Sequence, residues 1–301
     1  MNEVDEILGN NNTPNNYTTN RKYNYNNRNN YQKNNNWKEQ QNKDRQDIYD
    51  TMDRMTFIVS DDGSKFQEYL NVQSTFSKYS VGNCLVILEK SPQATQIKDE
   101  KSWNEKGIQL KNNAKAIKIL EPSKNNGVTY YNPKDVYDIS QTNAEQLEQE
   151  KHHGDRKLLE ALLYECDVPR KAVDILPNGT VGSEYNKKEN ILYVCKGMDR
   201  ELLFQSLSQE MGNIEMKDEE NTNIKSFKSY CVSYMFCKKY GIDVSNYNFD
   251  NLPEEFKKSK DGKGIRFELD KIRNNFEKIN SRMTDYFEQS SKEKNKSVPE
   301  R

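Results

Sequence analysis

The sequence predicts a two-domain α+β protein with polar ends. Three observations carry that expectation. The chain has 301 residues, about twice the usual domain length. Only 33% of them are hydrophobic, too few for one large core. Several stretches of helical periodicity are separated by three short apolar runs that read as strands.

Composition also excludes classes. The mean hydropathy is −1.12, and 46 Lys and Arg nearly cancel 47 Asp and Glu. No apolar run approaches the ~18 residues of a transmembrane helix, and no basic-then-apolar leader opens the sequence. A cytoplasmic protein with no membrane partner is expected. Cys84, Cys166, Cys195, Cys231 and Cys237 form no CxxC. They read as small buried residues of a reducing compartment, and neither a disulfide framework nor a metal ribbon is expected.

Residues 1–45 form a polar arm. Fifteen of the first forty are asparagine, and Gly9–Lys38 is free of acidic residues. Arg21, Lys22, Arg28, Lys33 and Lys38 are interleaved there with Tyr17, Tyr23, Tyr25, Tyr31 and Trp37. Such a tract cannot bury enough surface to offset its ordering entropy, so disorder is expected. Its role is either that of an inert solubilising tail or of a nucleic-acid arm, with cations on phosphates and rings on unpaired bases.

The first folded unit is expected over 46–142. Ile48, Met52, Met55 and Val59 recur at helical spacing from Gln46 onward, and Phe66–Phe76 predicts a second helix with Phe66, Leu70 and Gln73 on one side. The apolar run Cys84–Leu88 leads to a break at Ser91-Pro92. Ala116–Leu120 reads as a strand ending before Pro122, and Val136–Ile139 as another. Residues 143–156 read as a polar linker carrying His152-His153.

A second unit is expected over 157–289. Lys157–Cys166 is amphipathic, Ile191–Cys195 reads as a strand, and Asp199–Met216 and Ile224–Tyr240 as helices. The last helix is the plainest: Ile265, Leu269, Ile272, Phe276, Ile279 and Met283 follow spacings of four and three. At under three heptads it reads as a packing helix in place of a coiled-coil seam. Residues 290–301 form a charged tail.

A chain of spaced residues then resembles the N-terminal domain of the ArdC antirestriction family. Tyr79-Ser80, Asn83, Cys84–Leu88, Pro92, Ala94-Thr95, Trp103, Gly107, Lys111 and Ile119-Leu120-Glu121-Pro122 stand in family order, and Asp135–Thr142 matches the strand leading out of that domain. One turn departs from the pattern, with Asn113 at the family's glycine and Ala114 at its acidic position. Asn tolerates the left-handed conformation, and losing the acid makes the loop more basic. The resemblance implies single-stranded DNA binding. Lys78, Lys106, Lys111, Lys115 and Lys118 can meet phosphates, Tyr79 and Trp103 can stack on bases, and Asn83 can hydrogen-bond an edge. A structural role competes for each: Trp103 and Tyr79 in the core, and Asn83 as a cap.

The second half is similar to the zincin-like metallopeptidase domain that follows in the family, through Gly182-x-x-Tyr185, Asn190–Val194 and Leu203–Leu207. Where the family has HExxH, this chain has Gln209-Glu210-Met211-Gly212-Asn213. Histidines at i and i+4 would give zinc two nitrogens, and the Glu would activate its water. Neutral amides are poor zinc donors. The family's third, acidic ligand falls near Lys228 or Tyr230: one repels a cation and the other would have to lose its proton. No metal, cofactor or catalytic residue is therefore expected.

The polar set of Gln209, Glu210, Asn213 and Tyr230 either lines a reused cleft or is tolerated above a buried side of Leu203, Leu207, Met211 and Ile214. The function expected is non-enzymatic shielding of single-stranded DNA in a mobile element or phage. Two alternatives stand beside it: a pseudoenzyme scaffold holding a host or conjugation protein in the cleft, and a residual metallopeptidase with unusual ligands such as His152 or His153.

Overall fold

The computed structural model describes residues 26–144, 154–217, 219–254 and 262–296. Residues 1–42 and 43–301 form two compact units. Helix α1 (Asn26–Asp61) begins well before Gln46, and its stripe of Ile48, Met52, Met55 and Val59 is buried. The arm expected over 1–45 is thus shorter. Asp44 is buried and pairs with Lys118 at 3.1 Å, and Arg45 Nε donates to the Tyr131 carbonyl at 3.0 Å. Packing of the apolar stripe anchors the helix, which then propagates through residues of poor intrinsic propensity. Residues 1–25 lie outside the described ones.

Helix α2 (Gly63–Thr75) is capped by Asp62, whose carboxylate accepts from Lys65 N. It buries Phe66, Leu70 and Gln73, the side given by their spacing. Helix α3 (Val81–Lys90) starts at Ser80, whose hydroxyl accepts from Asn83 N, so the run Cys84–Leu88 is helical. Strand β1 (Ile97–Lys98) and helix α4 (Glu100–Asn104) follow. Strands β2 (Ile117–Asn125) and β3 (Val128–Asp138) form a long hairpin, and the first sheet has the antiparallel order β1-β3-β2.

Strand β2 does not stop before Pro122. Leu120 directs both its N–H and its C=O to Asn83, away from β3. Pro122, two residues on, has the same orientation, so its missing N–H lies on the outer edge and costs no ladder bond. The turn is Asn126-Gly127 with φ of 48° and 79°, the left-handed pair that a two-residue hairpin needs.

Helix α5 (Asp155–Leu162) opens the second half. Strands β4 (Arg170–Val173), β5 (Ser183–Asn186) and β6 (Ile191–Cys195) form a sheet of order β4-β6-β5, with β4 parallel and β5 antiparallel to β6. Helices α6 (Arg200–Glu215), α7 (Thr222–Tyr240) and α8 (Gly262–Lys296) complete the fold. The charged tail expected from Ser290 is helical as far as Lys296. Helices α2, α6 and α8 all pack on α7. Residues Cys231–Cys237 are consecutively buried, as in a helix enclosed on every side.

The apolar side chains do not divide at 143–156. Leu176, Tyr193 and Cys195 form a small separate cluster, while most other buried apolar side chains of both halves, from Ile48 to Leu120 and from Leu158 to Met283, join in one main core. Each fully buried aliphatic side chain in it contributes about 1.5–3 kcal/mol. The linker, with His152-His153, lies largely outside the described residues. Cys84, Cys195, Cys231 and Cys237 are buried and unpaired, and burial pushes the Cys237 thiol up to about 11. No helix among the described residues is long and apolar enough to cross a membrane.

Candidate functional site

The residues singled out in the first half separate into structural and surface groups. Trp103 is fully buried, and its indole N–H donates to the Tyr137 carbonyl at 3.0 Å. Its ring therefore serves the core and is not a stacking platform. Asn83 is also buried. Its amide donates to Leu120 O and its carbonyl accepts from Leu120 N, each at 2.9 Å. It is neither a cap nor a base-reading group: it staples α3 to the outer edge of β2. Tyr79 is half-buried with its ring 5.9 Å from Phe76, and burial raises its phenol pKa. Lys118 is neutralised by Asp135 at 2.9 Å and Asp44 at 3.1 Å.

Lys78, Lys106, Lys111 and Lys115 are exposed. The last three share the loop between α4 and β2, which is pinned to the end of β3. Lys111 N donates to Gln141 O at 2.8 Å, Lys115 N to Gln141 Oε1 at 2.6 Å, and Lys111 Nζ to Ser140 O at 2.8 Å. From Lys106 to Lys134 the sequence holds six lysines and a single acid, Glu121. Lys134 takes up Glu121 and Asp99. Among the described residues, Lys106, Lys111, Lys115 and Lys124 have no carboxylate partner. Lys124 was missed in the residue-by-residue reading, and so were Tyr130 and Tyr131, each 50% exposed on the same hairpin. The signal was present: Asn126-Gly127 between two β-rich runs marks a hairpin.

In the second half, Asp199 caps α6 by accepting from Glu201 N and Leu202 N. The helix buries Phe204, Leu207, Met211 and Ile214, and Leu203 packs partly buried against the same core. Gln209, Glu210 and Asn213 lie at its margin. Glu210 Oε2 accepts from Tyr185 N at 3.1 Å and from Asn213 Nδ2 at 3.2 Å. Burial holds its carboxyl above the usual range, outweighing those two donors. Asn213 Oδ1 lies 2.6 Å from the hydroxyl of Ser229 on α7. Gly212 permits that approach, because a Cβ there would stand 3.2 Å from Ser229 Cα. Gln209 is half-buried, and its side chain makes no hydrogen bond among the described residues.

On α7, Ser229 faces this spot and Lys225 lies near enough for its charge to act on Glu210, whereas Lys228 and Tyr230 point elsewhere. Tyr230 turns into an aromatic cluster, 4.8 Å from Tyr247 and 5.4 Å from Phe249, and its oxygen accepts from Asn248 N at 2.8 Å. Lys228 is wholly buried between Glu219, at 2.6 Å, and Glu268 on α8. A helix turns about 100° per residue, so consecutive positions on α7 face three different neighbours. No three His, Cys, Asp or Glu side chains among the described residues could hold a metal ion.

No family model and no curated protein matches the chain. Among solved structures it is similar to the antirestriction ArdC protein from the R388 plasmid. The Mn(II)-bound crystal structure has a TM-score of 0.45 at 11% identity, over 68% of this chain and 85% of that one. The metal-free one has a TM-score of 0.39 at 11% identity, over 69% and 86%. In this chain Asn213 Oδ1 is bonded to Ser229 and Glu210 accepts from Tyr185 N. The chain thus has ArdC structural neighbours, at an identity that leaves its site residues to be judged on their own geometry.

Proposed function

We propose that the chain binds single-stranded DNA and shields it without cutting, an antirestriction-like role in a plasmid or other mobile element. The observation that carries this is the set of lysines around the first sheet, Lys106, Lys111, Lys115 and Lys124, with no carboxylate partner among the described residues. Exposed cations not paired with carboxylates attract a polyanion, and phosphate contacts supply affinity without sequence choice. The ArdC-like order of residues in the same stretch supports the same reading. On the second half, Asn213 bridges Glu210 on its own helix to the Ser229 hydroxyl on the next, an arrangement suited to holding two helices together and not to activating water.

Titration of the full chain with labelled single- and double-stranded oligonucleotides tests the proposal. Binding to the single strand is expected to be the tighter. With four lysines engaged, log K should fall with log[salt] at a slope of about −3. Absence of binding to either form at low salt overturns it.

A further inference from the structure

We infer that the outer part of the β2–β3 hairpin, residues 122–131, is a base-stacking subsite for single-stranded DNA, with Tyr131 as the ring and Lys124 as the phosphate contact. The inference rests on the DNA-binding function proposed above and gives it a place. Strand β1 pairs only with the far end of β3, at Tyr137 and Asp138. Beyond that the hairpin is a two-stranded ribbon, and every residue from Glu121 to Asn132 is exposed. A bare ribbon of this kind is marginal in water, yet this one displays Val128, Tyr130 and Tyr131, each at least half exposed. Large apolar groups on such an element mark a binding surface.

The two faces differ. Pairing sets Pro122 opposite Tyr131, Lys124 opposite Thr129 and Ser123 opposite Tyr130. Side chains alternate along each strand. Pro122, Lys124 and Tyr131 therefore share one face, with Lys124 diagonal to the ring and within reach of a phosphate beside a stacked base. The opposite face carries Ser123, Val128 and Tyr130 and no unpaired cation.

Charge chooses the occupant. Residues 122–134 include no acid, and Lys134 is already paired with Asp99 and Glu121. The other residues of the hairpin tip include Asn125, Asn126, Thr129 and Asn132, and Arg45 reaches Tyr131 and Asn132, polar and cationic groups suited to a sugar-phosphate chain and not to an apolar protein groove. A second copy adding a strand is opposed by the outer edge of β2, where Leu120 is taken by Asn83 and Pro122 has no N–H. The backbone that carries the ring is also held in advance. Arg45 donates to Tyr131 O at 3.0 Å, and Asn132 Nδ2 bridges the strands to Ser123 Oγ at 2.8 Å. Each stacked base then costs little ordering.

The test uses the full chain and a fluorescein-labelled oligo-dT at low salt. Tyr131→Ala is expected to weaken binding about tenfold or more, and Tyr131→Phe to stay within about twofold of the unaltered chain. Tyr130→Ala should lose less than Tyr131→Ala, and Lys124→Ala should lower the salt slope by about 0.7. Photo-crosslinking with 5-iodo-deoxyuridine should map to 122–131. The inference is overturned if Tyr131→Ala binds as the unaltered chain does while crosslinks fall elsewhere, or if it dissociates a dimer without changing DNA affinity. Failure of the unaltered chain to bind any oligonucleotide is a separate outcome, which removes the proposed function and this subsite with it.

Discussion

The edge of the first sheet and the α6–α7 contact treat polar groups in opposite ways. Around the sheet, Lys106, Lys111, Lys115 and Lys124 are exposed and form no ion pair among the described residues, and Tyr130 and Tyr131 stand half exposed. At α6–α7, Glu210, Asn213 and Ser229 satisfy one another or a neighbouring backbone group. Groups that will meet a partner are left open, because bonds already made inside the protein must be broken before new ones form. Groups closed on each other hold helices together. Thus the stretch Gln209–Asn213, for all its polar residues, is the more closed on itself.

Four changes would break or sharpen that contrast. The largest effect belongs to Trp103→Ala, which empties a fully buried site and removes the indole donor to the Tyr137 carbonyl. A loss of about 3–5 kcal/mol is expected from urea unfolding, against less than about 0.5 kcal/mol for exposed Tyr131→Ala. A Trp103→Ala protein that unfolds normally but binds DNA poorly would move the stacking site back into the α4 region. Asn83→Ala leaves both backbone groups of Leu120 without their partner, and about 2 kcal/mol should be lost in the same measurement.

The triple replacement of Lys106, Lys111 and Lys115 by Ala acts on binding alone. Its salt slope should be shallower by about 2, with an unchanged melting temperature. Equal slopes would take those cations out of the interface.

The smallest effect is that of Glu210→Gln. Burial raises the carboxyl pKa of Glu210 in the folded state. The stability linked to its proton is therefore fully present below the unfolded pKa of about 4.3 and is lost as pH rises through the higher folded value. The glutamine keeps an acceptor for Tyr185 N without the buried charge. Its melting temperature should equal or exceed that of the unaltered chain at pH 7, and the difference should shrink under acid. A marked fall at pH 7 would mean that the ionised carboxylate is needed there.

Much of the helical frame was legible because burial follows period. Ile265, Leu269, Ile272, Phe276, Ile279 and Met283 are all buried at the spacing that announced them, and β6 has the bounds its apolar run gave. The site was less legible, since residue type alone does not reveal depth. Trp103 and Asn83 look like nucleic-acid contacts until their hydrogen bonds to Tyr137 and Leu120 are seen. Lys118 looks like a free cation until α1 brings up Asp44, far away in sequence. Pro122 looks like a strand breaker until the outer edge of β2 is known. Two of the three strands of the second sheet are not evident in the sequence: Arg170–Val173 and Ser183–Asn186 are short and mostly polar, and they are strands chiefly because Ile191–Cys195 lies between them.

The cage around Lys228 has a consequence for the order in which the protein matures. Glu219 arrives just before α7, but Glu268 and Lys271 belong to α8, which also brings six apolar side chains to the core. During synthesis, α7 emerges with a lysine destined for full burial and only half of its counter-charge in place. Domains close as units once their parts are available. The 43–301 unit therefore cannot reach its final packing until the chain past Met283 has left the ribosome, and nascent chains stopped short of α8 should remain accessible to proteases and to chaperones.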